Sequence, residues 1–134
     1  MPANTAPIFT LTPTLDAGAI STANTARDGS GTISTIATGT ANGKRISRIT
    51  IQAISNTIAG QVRLFIGDDA GTPNVRLWKE IAVTAATVSA TVQAFTYTLN
   101  LFGEQALILP LNYTLRAATH NAEAFNIHVE GGDY

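Results

Sequence analysis

Few residues in this 134-residue chain could do chemistry, and they are spread thinly along it. The two histidines are His120 and His128, and the nearest carboxylates to them in sequence are Glu123 and Glu130. A zinc site needs three or four converging ligands, supported by further hydrogen bonds. Because this spacing singles out no such set, we expect both histidines to be surface or interface residues.

Other catalytic patterns are equally weak. The Gly29-Ser30-Gly31 stretch lacks the spacing of a nucleophile elbow, and Asp68 and Asp69 lack the regular oxygen-ligand spacing of a calcium loop. The nine acidic residues are scattered and single out no carboxylate pair for glycoside hydrolysis. The chain has no cysteine. We therefore expect no enzyme, no metal and no cofactor, and a small-molecule ligand is not expected either.

Composition points away from several classes of partner. The net charge is −1 and the eight basic residues form no stripe that could neutralise phosphates, so nucleic acid is an unfavoured ligand. No apolar run approaches the length of a membrane span, and the N-terminus does not resemble a signal peptide. Charged residues make up only 13% of the chain, against the usual quarter or so. One explanation for so little charge is that partners cover much of the surface, since interface cores are depleted in charged residues. The other is that the chain is a threonine-rich β-protein whose hydroxyl groups make its surface polar.

Alternation of apolar and polar residues dominates from residue 32 onward, as in FTYTLNL, YTLRA and FNIHV. This period of two predicts half-buried strands, and no window has a convincing helical period. Asn42-Gly43 predicts a hairpin between the strands on either side of it. The eight or nine expected strands span about 8–12, 32–38, 45–54, 61–66, 75–83, 94–101, 106–109, 112–119 and 125–130. We predict an all-β fold, an antiparallel β-sandwich of jelly-roll type.

The first 31 residues differ from the rest, since they are rich in Ala, Thr, Pro, Asn and Gly and contain few large apolar side chains. We expect residues 1–31 to form an extended N-terminal arm or edge segment, and residues 32–134 to form a single sandwich domain. An arm that cannot bury itself often becomes ordered on a neighbouring subunit; the alternative is an edge strand with long loops.

A second apolar surface is predicted on the strands. Phe65 and Trp78 each fall on the strand face opposite their apolar neighbours, which suits a subunit interface or a sugar platform. Arginines occupy the solvent-side positions of four predicted strands, where they could pair with a partner's carboxylates or simply face water. These arginines are Arg48, Arg63, Arg76 and Arg116. The residues that we expect at a subunit or partner interface are Ile8, Phe9, Leu11, Phe65, Arg76, Trp78, Arg116 and His128.

The C-terminal half contains the phrase LPLNYTLRA and ends in GGDY. Over residues 75–134 the chain resembles the small β-sandwich structural proteins of tailed-bacteriophage virions. The matching residues are Leu109, Pro110, Tyr113, Leu115, Arg116, Ala117, Gly131, Gly132, Asp133 and Tyr134. This resemblance implies a trimeric capsid decoration (cement) protein, made in the host cytoplasm and bound to the major capsid protein on the capsid surface. The alternative is a carbohydrate-binding or receptor-binding module of a phage tail or fibre.

Overall fold

The computed structural model describes residues 9–68, 74–102 and 105–134, which form nine β-strands in two antiparallel sheets packed against each other. The strands are β1 (Thr12–Ile20), β2 (Ser34–Thr38), β3 (Lys44–Ala53), β4 (Gly60–Asp68), β5 (Asn74–Val83), β6 (Thr96–Asn100), β7 (Leu107–Leu109), β8 (Tyr113–Thr119) and β9 (Phe125–Asp133). The predicted all-β, antiparallel sandwich is confirmed. Nowhere in these three ranges is there a helix long and apolar enough to cross a membrane.

The two sheets divide the strands between them. Sheet A has the order β1-β9-β3-β6, with β7 also paired to β3, and sheet B has the order β2-β8-β4-β5. Apart from the pair β4 and β5, strands that follow each other in the chain are not neighbours in these orders. Such alternation between sheets resembles the connectivity of a jelly roll, which stays a prediction for this chain.

The turn at Asn42-Gly43 is present, but the hairpin predicted around it is wrong. Gly43 has a φ of 99°, and its amide donates to the Thr40 carbonyl over 3.0 Å. The flanking strands do not pair with each other, because β2 pairs with β8 in sheet B and β3 pairs with β9 in sheet A. The turn reverses the direction of the chain, but it connects the two sheets: β2 covers the core from sheet B, and β3 covers it from sheet A.

Sheet A has two distinct ends that organise the surface. Thr12, Asp133 and Lys44 lie in one row across β1, β9 and β3, and we call this the Asp133 end. At the other end of β9, Phe125 pairs with both β1 and β3, and we call this the Phe125 end. The nine residues of β9 separate the two ends by roughly 26–30 Å.

The core lies between the sheets, and a bulge in β3 helps to fill it. Ile46 and Ile49 are three residues apart, yet both are fully buried. The register between β3 and β9 shifts between Ile46 and Arg48, which leaves Ser47 as the extra residue. The bulge reverses the alternation, so both isoleucines reach the core. The rest of the core cluster consists mainly of Ile, Leu, Val and Ala side chains from strands of both sheets, with Phe125 among them.

Residues 12–20 form the edge strand β1, whereas the sequence predicted a strand at about 8–12. Apart from Ile20, the core-facing side of β1 lacks large side chains. A Cβ at Gly18 would meet the side chain of Ile36 on β2, which would have to shift to admit it. Of this strand only Ile20 is a buried apolar residue. The usual alternation signal is therefore missing from the sequence of β1.

Residues 21–33 lie across the outer face of sheet B and return to β2. Asn24 fixes this segment by hydrogen bonds. Its backbone amide donates to the Thr119 carbonyl of β8, and its side-chain Nδ2 donates to the carbonyls of Ser30 and Thr32. Further along, a Cβ at Gly29 would touch the backbone of Val75 on β5. Of the residues 1–31 that we expected to form an arm or edge segment, those that the structure describes, from residue 9 onward, fall into two parts, an edge strand and a cover over sheet B.

Candidate interaction surfaces and a polar pocket

Two of the residues predicted at an interface are exposed beside β1, and a third lies on β9. Phe9 is 79% exposed and Leu11 is 84% exposed, while Ile8 falls outside the described residues. His128 is exposed and pairs with Ala17 of β1 on the outer face of sheet A. These three described residues therefore share the outer side of one sheet.

The other residues predicted at an interface lie on strands of sheet B, and the prediction that Phe65 is an interface residue is wrong. Phe65 is fully buried, so it offers no surface to a partner. It pairs with Arg116 on β8 and lies outside the core cluster, on the sheet face that residues 21–33 cross. Arg116 is half-buried, and its Nε donates to Thr114 Oγ1 over 2.9 Å. The second apolar face predicted for Phe65 exists, but it is covered by the chain itself.

Trp78 also differs from its predicted placement. Leu64 pairs with Lys79 and Phe65 pairs with Leu77, so Trp78 is the extra residue of a bulge in β5. The bulge turns Trp78 toward the core, and its half-buried side chain packs against the core cluster. Simple alternation had placed it opposite the core. Arg76, two residues earlier, is exposed near the other end of this edge strand, as an interface residue would be.

An apolar ridge runs along the outer edge of sheet A at the Asp133 end. Leu15 is 68% exposed and pairs with Glu130, whose side chain lies on the outer face. Leu11 and Phe9 continue the same alternation toward the N-terminus, and the Leu11 amide donates to the Asp133 carbonyl over 2.7 Å. We call Phe9, Leu11 and Leu15 the β1 ridge. The strand pairing holds these side chains in water in the folded chain.

A cavity of about 370 Å³ opens beside the β1 ridge. Its lining includes Phe9, Arg45, Ser47 and the backbone of Gly131 and Gly132. The glycines permit close backbone approach, because a Cβ at either position would collide with Arg45 or Thr10. The cavity therefore combines an aromatic ring and a guanidinium, both of which are enriched at protein interfaces.

Next to the cavity, the Arg48 side chain contacts both Glu130 and Phe102 on the outer face of sheet A. Its Nη1 lies 3.4 Å from Glu130 Oε2, and its guanidinium lies 5.5 Å from the centre of the Phe102 ring. Phe102 is 54% exposed. Arginine beside an exposed aromatic ring is typical of residues that anchor protein partners.

A second exposed apolar surface lies at the Phe125 end. Its members are Ile54, Ile58, Val88 and Val92, which are between 36% and 61% exposed, and we call them the loop-end patch. They lie on two loops, which follow β3 and β5. Thr57 and Ala86 exchange two backbone hydrogen bonds of 3.0 Å, and Val88 donates to Asn56 Oδ1 over 2.8 Å. These bonds fix the loops to each other, so they hold the aliphatic side chains outward.

A polar pocket of about 240 Å³ lies on sheet B where β4 begins and β8 ends, next to the cover formed by residues 21–33. Arg63 forms its floor and is only 1% exposed. Its Nη1 donates to the Asn24 carbonyl over 3.2 Å, and its Nη2 donates to Gln61 Oε1 over 3.0 Å. Nη2 also lies 3.4 Å from His120 Nδ1. The surrounding segments thus satisfy the hydrogen bonds that a buried guanidinium requires.

One carboxylate serves two arginines in this pocket. Glu80 Oε2 accepts from Arg63 Nε over 3.3 Å and from Arg27 Nε over 3.0 Å. Arg27 comes from the cover segment, and its side chain is 59% exposed. The ion pairs therefore tie the cover to strands β4 and β5 of sheet B.

The histidines and acidic residues that were considered as metal ligands do not lie together in the structure. His128 lies on sheet A, whereas His120 lies beside the polar pocket on sheet B. Within the described residues, no group of three or more His, Cys, Asp or Glu side chains could hold a metal ion. Asp68 ends β4, while Asp69 lies outside the described residues.

Sequence reasoning missed most of the residues at these sites. Leu15 and the loop-end patch lie in segments without regular alternation, so no pattern marked their side chains as exposed. Arg63 was assigned to solvent because it alternates with Val62 and Leu64, and the cover over this face comes from a distant segment.

Comparison with known proteins adds no relationship to this geometry, because no protein-family model, curated protein or solved structure matches the chain.

Proposed function

We propose that the protein is a non-enzymatic structural protein of a virion, which assembles as a homotrimer and binds the major capsid protein as a decoration (cement) protein. The proposal rests on the resemblance of residues 75–134 to such proteins, together with the surface that the fold presents. A decoration protein needs extensive contact surface and little chemistry, because it bridges neighbouring subunits of the capsid.

The observation that supports the proposal best is a pair of exposed apolar surfaces at opposite ends of the sandwich. The β1 ridge lies at the Asp133 end, and the loop-end patch lies at the Phe125 end. Exposed apolar surface beyond scattered single residues usually marks a contact with another molecule. Two surfaces roughly 30 Å apart suit a protein that contacts two different partners at once.

We assign self-association to the β1 ridge and capsid binding to the loop-end patch. The β1 ridge adjoins Arg48, Glu130 and Phe102. An interface centred on the ridge would therefore have an apolar centre with polar groups beside it, and it would contain Arg and an aromatic ring, which are enriched at interfaces. Trimerisation would then present three loop-end patches on one side of the assembly. Three linked contacts bind far more tightly than one, because the second and third form at high effective concentration.

Co-sedimentation with empty capsids of a phage that encodes the chain tests this function. We expect wild-type protein to pellet with the capsids at saturating stoichiometry. Ile58→Ser combined with Val92→Ser should abolish pelleting, because both side chains are exposed members of the loop-end patch. Leu111→Ser, which changes an exposed leucine outside both surfaces, is the matched control. Absence of wild-type protein from the pellet would count against the proposal.

A second candidate is a carbohydrate-binding or receptor-binding module. The outer face of sheet A supports it, since one row across the sheet contains His128, Thr50 and Thr98 side by side. Their polar groups could hydrogen-bond sugar hydroxyls. Trp78, the candidate sugar platform in the sequence, packs against the core instead. Specific signal on a glycan array, lost in His128→Ala, would favour this candidate.

A further inference from the structure

We propose that the polar pocket formed by Arg27, Arg63 and His120 binds a carboxylate. No established or proposed role of the chain assigns this site, and the inference does not depend on assembly. It rests on a cavity, an excess of positive charge and an unused set of hydrogen-bond donors in the same place.

The charge of the pocket is unbalanced. Arg27 and Arg63 contribute two positive charges, and Glu80 contributes the single negative charge that contacts them. Glu80 already compensates the buried Arg63, so the surplus positive charge is that of Arg27, which lines the cavity and is 59% exposed. An anion in the cavity would pair with this second guanidinium.

Two of the residues that line the cavity keep hydrogen-bond donors for a ligand. Arg27 Nε donates to Glu80 and Nη2 donates to Gln61 Oε1 over 3.3 Å, which leaves the Nη1 protons and the second Nη2 proton of its guanidinium. Arg63 can only donate, so its contact with His120 Nδ1 makes that nitrogen the acceptor in the neutral ring. The proton of neutral His120 then resides on Nε2. The pocket therefore offers a guanidinium edge and an imidazole N–H.

The same geometry selects a singly charged, planar anion. A guanidinium edge matches a carboxylate through two parallel hydrogen bonds. Glu80 is already bound to both arginines and repels any anion in the cavity, and this repulsion is about twice as large for a doubly charged phosphate or sulfate as for a singly charged carboxylate. The cavity volume of about 240 Å³ accepts a small organic acid or one acidic side chain.

The position of the pocket leaves two sources for the carboxylate. Asn121 Nδ2 donates to the Ala59 carbonyl, and Ile58 of the loop-end patch donates to Glu123, so the pocket adjoins that patch. A carboxylate on a protein docked at the patch could enter the pocket. A free acid, such as a sugar acid, could enter from solvent.

An NMR titration of ¹⁵N-labelled full chain tests the site, with sodium acetate replacing sodium chloride at constant ionic strength. We expect saturable shifts of the Gly60 and Gln61 amides, which line the pocket. Arg27→Gln should weaken acetate binding by about ten-fold or more, as expected for one charge-assisted hydrogen bond. Arg76→Gln is the matched control, because Arg76 pairs with Ile66, six residues along β4 from Gly60, and does not line the pocket.

Two further ligands distinguish the sources. Tighter binding of N-acetyl-aspartate methylamide than of glucuronate supports a protein carboxylate, and the reverse order supports a sugar acid. Sulfate that binds as tightly as acetate would overturn the assignment to a carboxylate. Linear, unsaturated shifts with acetate, or equal affinity in Arg27→Gln, would overturn the site itself. Preserved dispersion of the spectrum of Arg27→Gln would show that the variant is folded.

Discussion

Arg63 on β4 lies directly opposite Glu80 on β5, and its Nε donates to Glu80 Oε2 over 3.3 Å. The pair lies on the outer face of sheet B, where a solvated ion pair would normally contribute little. Here residues 21–33 cross the face, and the Asn24 carbonyl accepts a hydrogen bond from Arg63. The cross-strand pair is therefore also the anchor of the segment that covers it.

Arg63→Met should lower the free energy of unfolding by about 2–3 kcal/mol, because it removes charge-assisted hydrogen bonds and leaves the Asn24 carbonyl without its partner. Arg27→Gln is the control. It removes the exposed half of the same cluster and should cost only about 0–1 kcal/mol. Urea unfolding of the three proteins measures both values. Equal losses in the two variants would contradict the anchoring role of Arg63.

Stability should fall at alkaline pH because of Lys44. Burial by itself lowers the pKa of Lys44, but the hydrogen bond to Asp133 and the charge of Asp16 outweigh it, and the pKa is raised. Its Nζ lies 2.9 Å from Asp133 and 3.3 Å from Asp16. A pKa that is higher in the folded chain adds stability below the unfolded value of about 10.4, and this stability is lost as pH rises through the folded pKa.

Urea midpoints between about pH 9 and pH 12 measure this loss. Lys44→Met serves as the reference, because any pH dependence that does not come from Lys44 is shared by the two proteins. We expect the wild-type midpoint to fall more steeply with pH than that of Lys44→Met. Parallel curves for the two proteins would show that Lys44 does not contribute.

Trp78→Ala should destabilise the monomer and leave its self-association unchanged. The side chain packs against the core cluster and is half-buried, so we expect a loss of roughly 2 kcal/mol, about half of that for a fully buried tryptophan. Thermal unfolding measures the loss, and light scattering measures the oligomer. A changed oligomer mass with an unchanged melting temperature would instead place Trp78 at an interface.

Removal of residues 2–20 should unfold the protein, because it deletes β1, which pairs with β9 along its full length. The deletion also removes the buried Ile20 and the ion pair from Asp16 to Lys44. Removal of residues 2–8 keeps every pairing of β1 and is the control. Circular dichroism of the two truncated proteins compares their folds. A folded sandwich without residues 2–20 would contradict the structural role of β1.

Much of this fold could be read from local pattern. Strands with one apolar and one polar face, such as Phe125–Asp133, follow alternation closely, and their existence and spacing were predicted correctly. The position of β1 was missed because its core side contains Asp16, which pairs with Lys44, and Gly18, which lies against Ile36 of β2. These are tertiary contacts, and they leave no trace in the alternation.

The surfaces were harder to predict than the strands. The bulge at Trp78 interrupts the alternation in β5, so Trp78 packs against the core although simple alternation placed it on the opposite face. Phe65 and Arg63 were assigned to an exposed face because their cover comes from a segment about forty residues earlier in the chain. The sequence predicts which residues share a face, but not whether the chain itself covers that face.

Sedimentation-equilibrium ultracentrifugation of the full chain tests the assembly proposal most directly. Three chains of 14.0 kDa give a trimer of about 42 kDa, and we expect this mass for the wild type and for the control Leu111→Ser. Leu11→Ser combined with Leu15→Ser should reduce it to the monomer mass of 14.0 kDa without loss of fold, because both side chains are exposed in the single chain. A wild-type mass of 14.0 kDa, or a trimer that survives both ridge substitutions, would contradict the proposed assembly through the β1 ridge.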